Sequence, residues 1–240
     1  MAMKARIFKT RIEKVLEMGV QDTRHFKLVF EPGMVFDFDP GQFVNLIAQP
    51  PSSDKPIKRP YSIDSPPYEK GYIDLVWKRV EGGLMTNYLM TLKEGDALTC
   101  QGPLGRFGFK KPLPSRLVFV ATGTGIAPFR SMIYQLFKEG TDRDVWLLFG
   151  NRYETDVLYQ EEWKALAAGH RNFHFIPTVS RPQTWTGEKD YVQKLLPKYI
   201  PSPQDTHLFI CGLTNMINEV SKTAEGMGFS KEQILFEKYD

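Results

Sequence analysis

Apolar and polar side chains alternate in short runs through the first 110 residues, as in Phe26, Leu28 and Phe30 and again in Ile73, Leu75 and Trp77. A period of two buries one face of a strand and leaves the other in water. Turn signals stand at Glu31-Pro32-Gly33, Asp39-Pro40-Gly41 and Glu94-Gly95-Asp96. Short strands at this spacing predict a closed β-barrel. The pattern changes beyond residues 110–115, KKPLPS, which read as a linker. Continuous apolar runs at 117–120, 145–149, 173–179 and 207–211 then predict buried strands, with helices near 129–139, 156–168, 190–196 and 215–225. Such alternation predicts a parallel sheet with helices on both faces. No internal repeat interrupts either half.

The most informative stretch is 117–137, LVFVATGTGIAPFRSMIYQLF, where a strand turns into a helix. Phe129, Met132, Ile133, Leu136 and Phe137 fall on one helical face. Gly123 and Gly125 let the backbone approach a ligand, and Pro128 suits a first helical turn. Free N–H groups and the positive helix end there can receive an anion such as a pyrophosphate. The third glycine of the dinucleotide fingerprint is absent, so the spacing equally fits a plain tight turn.

In the barrel half, Arg59-Pro60-Tyr61-Ser62 puts a cation, an aromatic face and a hydroxyl within four residues. On a strand Arg59 and Tyr61 share a face, so a guanidinium could hold phosphate while the ring stacks on a flat heterocycle. A surface arginine beside a core tyrosine is the plainer reading. Gly82-Gly83-Leu84-Met85-Thr86 is a glycine turn entering a short helix, either an anion nest or a hairpin turn with a helix plugging the barrel end. Gly102-Pro103-Leu104-Gly105 reads as a turn closing the last strand.

Composition narrows the chemistry. The chain has 240 residues, 42% hydrophobic and 25% charged, enough for one large or two modest domains. No apolar run approaches the roughly 18 residues of a membrane span, and the amino terminus lacks an apolar block before a cleavage site, so a cytoplasmic location is expected. Cys100 and Cys211 supply neither a disulfide framework nor a cluster ligand set, so electron chemistry would need another cofactor. A net charge of +3 gives no case for nucleic acid. His170 and His174 have metal-pair spacing but straddle a helix end and a strand start without a third ligand, so no metal is expected. No histidine and aspartate can be placed beside Ser131 for nucleophilic catalysis.

RPYS, GGLMTNYL, GPLG, GTGIAP and CGL, in this order and across essentially the whole chain, resemble the ferredoxin–NADP reductase superfamily, which includes cytochrome b5 reductase and the reductase modules of bacterial oxygenases. The resemblance implies a six-stranded antiparallel β-barrel for FAD, residues 1–112, then a five-stranded parallel α/β domain for the nicotinamide dinucleotide, residues 113–240. It implies that Arg59 holds the flavin pyrophosphate, Tyr61 lies against the isoalloxazine and Ser62 bonds near flavin N5. Pro60, Val76 and Lys78 join the flavin contacts, and Gly82, Gly83, Leu84, Met85 and Thr86 form a second pyrophosphate nest. Thr122, Gly123, Thr124, Gly125, Ile126, Ala127 and Pro128 receive the nicotinamide nucleotide with Cys211, Gly212 and Leu213, Cys211 flanking the ring without attacking it.

The ending Phe236-Glu237-Lys238-Tyr239-Asp240 is similar to family endings in which a carboxylate and an aromatic return to the flavin, though Asp240 carries this chain one residue past the aromatic. The implied catalytic set is Ser62, Cys211, Glu237 and Tyr239; a solvated tail is the alternative for its last two members. Residues 178–181 end a strand and 187–193 are expected to open a helix. By resemblance Ser180, Arg181, Lys189 and Tyr191 surround a ribose 2′-phosphate, and the two cations favour NADP(H) over NAD(H). Ser-Arg-Pro before Trp-x-Gly also occurs in NADH-using oxygenase reductases. The implied activity is an FAD-dependent NAD(P)H reductase serving an external acceptor such as ferredoxin, flavodoxin or an oxygenase component. A flavin-binding electron-transfer or regulatory subunit, and a free-flavin reductase, are the alternatives.

Overall fold

Alternation becomes six antiparallel strands in the computed structural model, which describes residues 5–19 and 22–239. They are β1 (Arg6–Glu17), β2 (Thr23–Phe30), β3 (Phe43–Ala48), β4 (Ile57–Ser62), β5 (Tyr72–Lys78) and β6 (Ala97–Leu104), hydrogen-bonded in the order β4-β3-β6-β1-β2-β5. In β1 the side chains of Phe8, Thr10 and Ile12 are buried while Ile7, Lys9 and Arg11 are exposed, as a half-buried strand requires. A register shift between Ile12 and Lys14 bulges the strand, the kind of feature that adds twist. The inner faces enclose Phe26, Leu28, Val44, Leu46, Ile73, Leu75, Trp77 and Leu98. Helix α1 (Leu84–Thr91) adds Met85 and Leu89 to that core.

The expected six-stranded antiparallel barrel is present as a half-barrel, a curled sheet that does not close. No ladder joins β4 to β5; the Asp64 N–H beyond β4 donates to the Asp74 carbonyl of β5 at 2.8 Å. The expected turn at 102–105 is also corrected. Gly102 pairs with Arg6 and Leu104 with Phe43, so β6 runs through most of it. A Cβ on Gly102 would lie 2.8 Å from Val44 Cγ1, so glycine lets β3 and β6 close there, and the chain leaves the strand at Gly105, φ 97°.

Continuous apolar runs become five parallel strands, β7 (Arg116–Thr122), β8 (Asp144–Asn151), β9 (Phe173–Val179), β10 (Thr206–Gly212) and β11 (Ile234–Lys238), in the order β11-β10-β7-β8-β9. Helices α2 (Ala127–Lys138), α3 (Gln160–Gly169), α4 (Leu195–Tyr199) and α5 (Thr214–Gly226) complete the chain. By contacts, residues 1–108 and 127–139 form one compact unit and 109–126 with 140–240 the other. In the second unit Ile217, Val220 and Ala224 of α5 join Leu208 and Ile210 in a core, and Trp163 of α3 packs on Phe173 and Phe175.

The helix expected near 190–196 begins only at Val192; the residues expected to open it, 187–191, are held as non-helical chain against β9. Glu188 bridges Thr178, the Val179 N–H donates to the Glu188 carbonyl at 3.0 Å, and Thr178 Oγ1 holds Asp190. A 3-10 turn at Val192–Lys194 then leads to the five residues of α4. His174 pairs with Asp144 at 2.8 Å and stacks on Trp146, whose indole N–H shares that carboxylate with Arg116. Among the described residues no group of three metal-ligating side chains converges, and no helix is long and apolar enough to cross a membrane.

Candidate functional site

In the first unit, β4 presents the RPYS residues. Arg59 lies opposite Leu46 and Tyr61 opposite Val44, which puts both on one face; Pro60 and Lys58 alternate to the other. Tyr61 packs on the core, and burial raises its phenol above the usual range against a smaller opposing pull from Arg59. The ring is therefore a neutral, half-buried flat surface. Arg59 is exposed, its guanidinium bonded to the Lys58 carbonyl at 2.8 Å. Ser62 ends the strand and is buried. On β5, Val76 is buried and Lys78 exposed.

Helix α1 packs against β4 and starts from Gly83 after Gly82 at φ 70°. It has no side-chain N-cap and no carboxylate in its first turn, so the amides of Leu84, Met85 and Thr86 form an acid-free positive end. A Cβ on Gly83 would sit 2.9 Å from Thr86 Oγ1 and 3.0 Å from the Val80 carbonyl, so the turn has room only for glycine. The Thr86 hydroxyl accepts from the Val80 N–H at 3.0 Å, and Met85 is committed to the core. These residues can therefore offer backbone donors rather than side chains. A guanidinium, a free amide nest and a flat ring fit a flavin carrying a pyrophosphate.

In the second unit, β7 ends at Thr122 and a 3-10 turn, Gly123–Ile126, runs into α2. Gly123 has φ 53°, and a Cβ on Gly125 would lie 2.4 Å from the Cys211 carbonyl. Only glycine lets this turn close on the end of β10. Neither the turn nor the first turn of α2 contains a carboxylate. Thr124 is partly exposed, whereas Ile126, Ala127 and Pro128 are buried and have backbone to offer. Thr122 Oγ1 is buried without a hydrogen-bond partner, and a Cβ on Gly212 would sit 2.5 Å from it. This small, acid-free cradle with an orphaned hydroxyl fits a dinucleotide.

The carboxyl-terminal strand completes that edge. β11 sets Glu237 beside Cys211 in register, and the Tyr239 N–H donates to the Gly212 carbonyl at 2.9 Å. Residues 237 and 239 are thus held by the sheet, while Leu213 is exposed and Asp240 lies outside the described residues. Burial above all, with Glu237 adding to it and a Tyr239 hydrogen bond opposing it, pushes the Cys211 thiol well above its ordinary range. The sulfur is a neutral, inert wall.

Beyond β9, Ser180 donates both its N–H (3.0 Å) and its hydroxyl (3.3 Å) to the Asn151 carbonyl, and the Arg181 N–H bonds the Arg152 carbonyl at 2.8 Å. The side chains of Arg181, Lys189 and Tyr191 are exposed. Lys189 lines a cleft of about 500 Å³ with Pro177, Trp185, Glu188 and Tyr199. Among the described residues neither Arg181 nor Lys189 is in an ion pair; the nearby carboxylates Asp190 and Glu188 are held by Lys194 at 2.9 Å and Lys198 at 2.6 Å. Sequence reasoning missed Glu154, whose Oε1 accepts the N–H groups of Gln183, Thr184 and Trp185 and clamps the loop after Arg181. Hydrogen bonds from its own N–H and from Thr184 lead in lowering its carboxyl to about 2. No local signal marks a contact across about thirty residues.

Residues 11–109 match the family model of the oxidoreductase FAD-binding domain, and residues 119–222 that of the oxidoreductase NAD-binding domain. Ferredoxin–NADP reductase B of Sorangium cellulosum is 38% identical over 219 residues, 87% of this chain and 88% of that one. NADH-cytochrome b5 reductase 2 of Neurospora crassa is 35% identical over 72% of this chain and 52% of its own length. The cytochrome P450 reductase GcoB of Amycolatopsis superposes with a TM-score of 0.88 at 25% identity, covering 98% of this chain and 70% of that one. Two cofactor-domain models matched in order, and a relative this similar over most of both chains, show that the protein belongs to the ferredoxin–NADP reductase family and is an FAD-dependent NAD(P)H reductase.

Proposed function

We propose that the protein prefers NADPH to NADH as its electron donor and delivers the electrons to a small external redox protein of the ferredoxin kind. When bound, FAD can accept a hydride and return its electrons singly. Arg59 and the amides of Leu84, Met85 and Thr86 hold the pyrophosphate, and Tyr61 offers its ring to the flavin plane. Ser62 supplies a hydrogen bond at flavin N5. The Thr122–Pro128 turn and Gly212 seat the nicotinamide nucleotide, the neutral Cys211 flanks its ring, Glu237 stands beside Cys211 as the carboxylate of the hydride-transfer edge, and Tyr239 provides an aromatic cover.

The observation that carries the NADPH preference is two exposed cations without carboxylate partners, Arg181 and Lys189, the second of which stands between acids already neutralised by Lys194 and Lys198. A 2′-phosphate supplies the missing anion, and NADH has none. The name of the Sorangium relative points the same way, and to ferredoxin as acceptor. Each charge-assisted contact is worth about 1.5 to 3 kcal/mol when sheltered and less in solvent. NADPH should therefore lead by roughly tenfold to a hundredfold in kcat/KM. Replacing Lys189 with Ala should raise KM for NADPH and leave NADH nearly unchanged. The relatives named NADH-cytochrome b5 reductases support the opposite choice, and steady-state kinetics with both nucleotides decides. Equal or better turnover with NADH would overturn the proposal.

A further inference from the structure

Directly after Ser62 the first unit buries an ionic cluster drawn from four separate segments. Asp64 follows β4 and is 0% exposed, Asp74 of β5 is 7% exposed, His25 of β2 is 8% exposed, and the side chain of Arg130 in α2 is 16% exposed. Arg130 Nη1 lies 3.6 Å from Asp64 Oδ2, 3.8 Å from Asp74 Oδ2 and 3.4 Å from the Asp64 carbonyl. His25 Nε2 lies 3.8 Å from Asp64 Oδ2 and 3.6 Å from Asp74 Oδ1. Taking such charges out of water is costly, and well-packed apolar side chains would often serve stability as well. What the ions add is a fixed geometry at one place.

That place is the chain immediately beyond Ser62. The Ile63 N–H donates to the Gln42 carbonyl at 2.9 Å and the Asp64 N–H to the Asp74 carbonyl at 2.8 Å. The Asp74 N–H donates to Ser65 Oγ at 3.0 Å. The guanidinium meets both the carbonyl and the carboxylate of Asp64, so it restrains the main chain and the side chain of one residue together. We propose that Arg130 and Asp64 are positioning residues for Ser62, their ion pair fixing the strand end that aims the serine hydroxyl at flavin N5. The inference rests on the assignment of Ser62 given under the proposed function. Removing Arg130 takes the guanidinium from between the carboxylates of Asp64 and Asp74, and the like charges left close together push the Asp64 backbone off its anchor.

The test uses the FAD-loaded protein with the substitutions Arg130→Gln, Arg130→Lys, Asp64→Asn and Ser62→Ala. Two quantities are measured on that holoenzyme: the limiting rate of anaerobic flavin reduction, and amide exchange at Ile63 and Asp64. Arg130→Gln and Asp64→Asn should each retain FAD, leave KM for the nucleotide within about twofold, lower the limiting rate about tenfold and speed exchange at both amides by a similar factor. Arg130→Lys, which keeps the charge, should recover most of both losses. A limiting rate within twofold of the parent, or a slower rate with unchanged exchange, overturns the inference. Should Arg130→Gln fail to fold, the double substitution Asp64→Asn with Arg130→Gln removes both charges and carries the same expectation and the same overturning result. Ser62→Ala separates the two levels. If it keeps the parent rate, the assignment of Ser62 falls; if it slows reduction while both cluster variants do not, only the positioning role falls.

Discussion

Cys211 occupies the carboxyl end of a central parallel strand, where ligands of such sheets bind, yet its sulfur is fully buried and its thiol is held protonated. A thiolate is the reactive form, so an alkylating reagent at pH 8 should leave Cys211 unmodified in the native protein and label it on unfolding. Rapid labelling of the folded protein would show that the strand end opens in solution. On the flavin side, Arg59→Ala and Tyr61→Ala should each weaken FAD retention by about 1 to 3 kcal/mol, the scale of a charge-assisted hydrogen bond or an aromatic stack. Full flavin content after dialysis of the double variant would remove both residues from the site. The RPYS residues were readable because each side chain announces its chemistry within four positions. Asp64 and Arg130 were not, because their meaning lies in a contact between residues 66 apart.

Elements differ in what fixes them. Strands β7, β8 and β10 are buried on both sides, so their apolar runs alone define them, and the beginning of α2 follows from Gly123, Gly125 and Pro128. The segment at 187–191 has helical spacing in its apolar neighbours, but backbone bonds to β9 hold it extended, an instance of tertiary pairing overriding local pattern. Residues 102–104 look like a turn from composition and remain strand because β1 and β3 pair with them. The loop clamped by Glu154 yields a prediction with a definite sign. Its carboxyl is lowered to about 2 from an ordinary 4.5, so the clamp is fully present above about pH 4.5 and is lost as pH falls toward 2. Protection of the Gln183, Thr184 and Trp185 amides should fall across that window, and Glu154→Gln should remove it at pH 7. Protection factors unchanged between pH 5 and 2.5 would show that the charge does not hold the loop.

At the scale of the whole molecule, two compact units with separate cores each offer backbone amides in a turn that carries no carboxylate of its own, one at the start of α1 and one at Gly123 and Gly125. A ligand that binds only the folded chain stabilises it by about 2.7 kcal/mol at a hundred times its dissociation constant. For a chain of this length each kcal/mol raises the melting temperature by roughly 2 to 4 °C, so saturating FAD should raise it by roughly 5 to 10 °C where the units melt together. Where they melt separately, only the transition of the β unit should move. The comparison that discriminates is FAD against FMN at the same multiple of FAD's dissociation constant. FMN keeps the flat ring for Tyr61 but brings one phosphate where FAD brings a pyrophosphate, so it loses part of what Arg59 and the amides of Leu84, Met85 and Thr86 can hold. The shift with FMN should therefore be clearly smaller, and Arg59→Ala should bring the FAD shift down toward it. Equal shifts with the two flavins in the parent protein would mean that Tyr61 and the β4 face carry the binding and that the glycine turn before α1 serves only to start the helix.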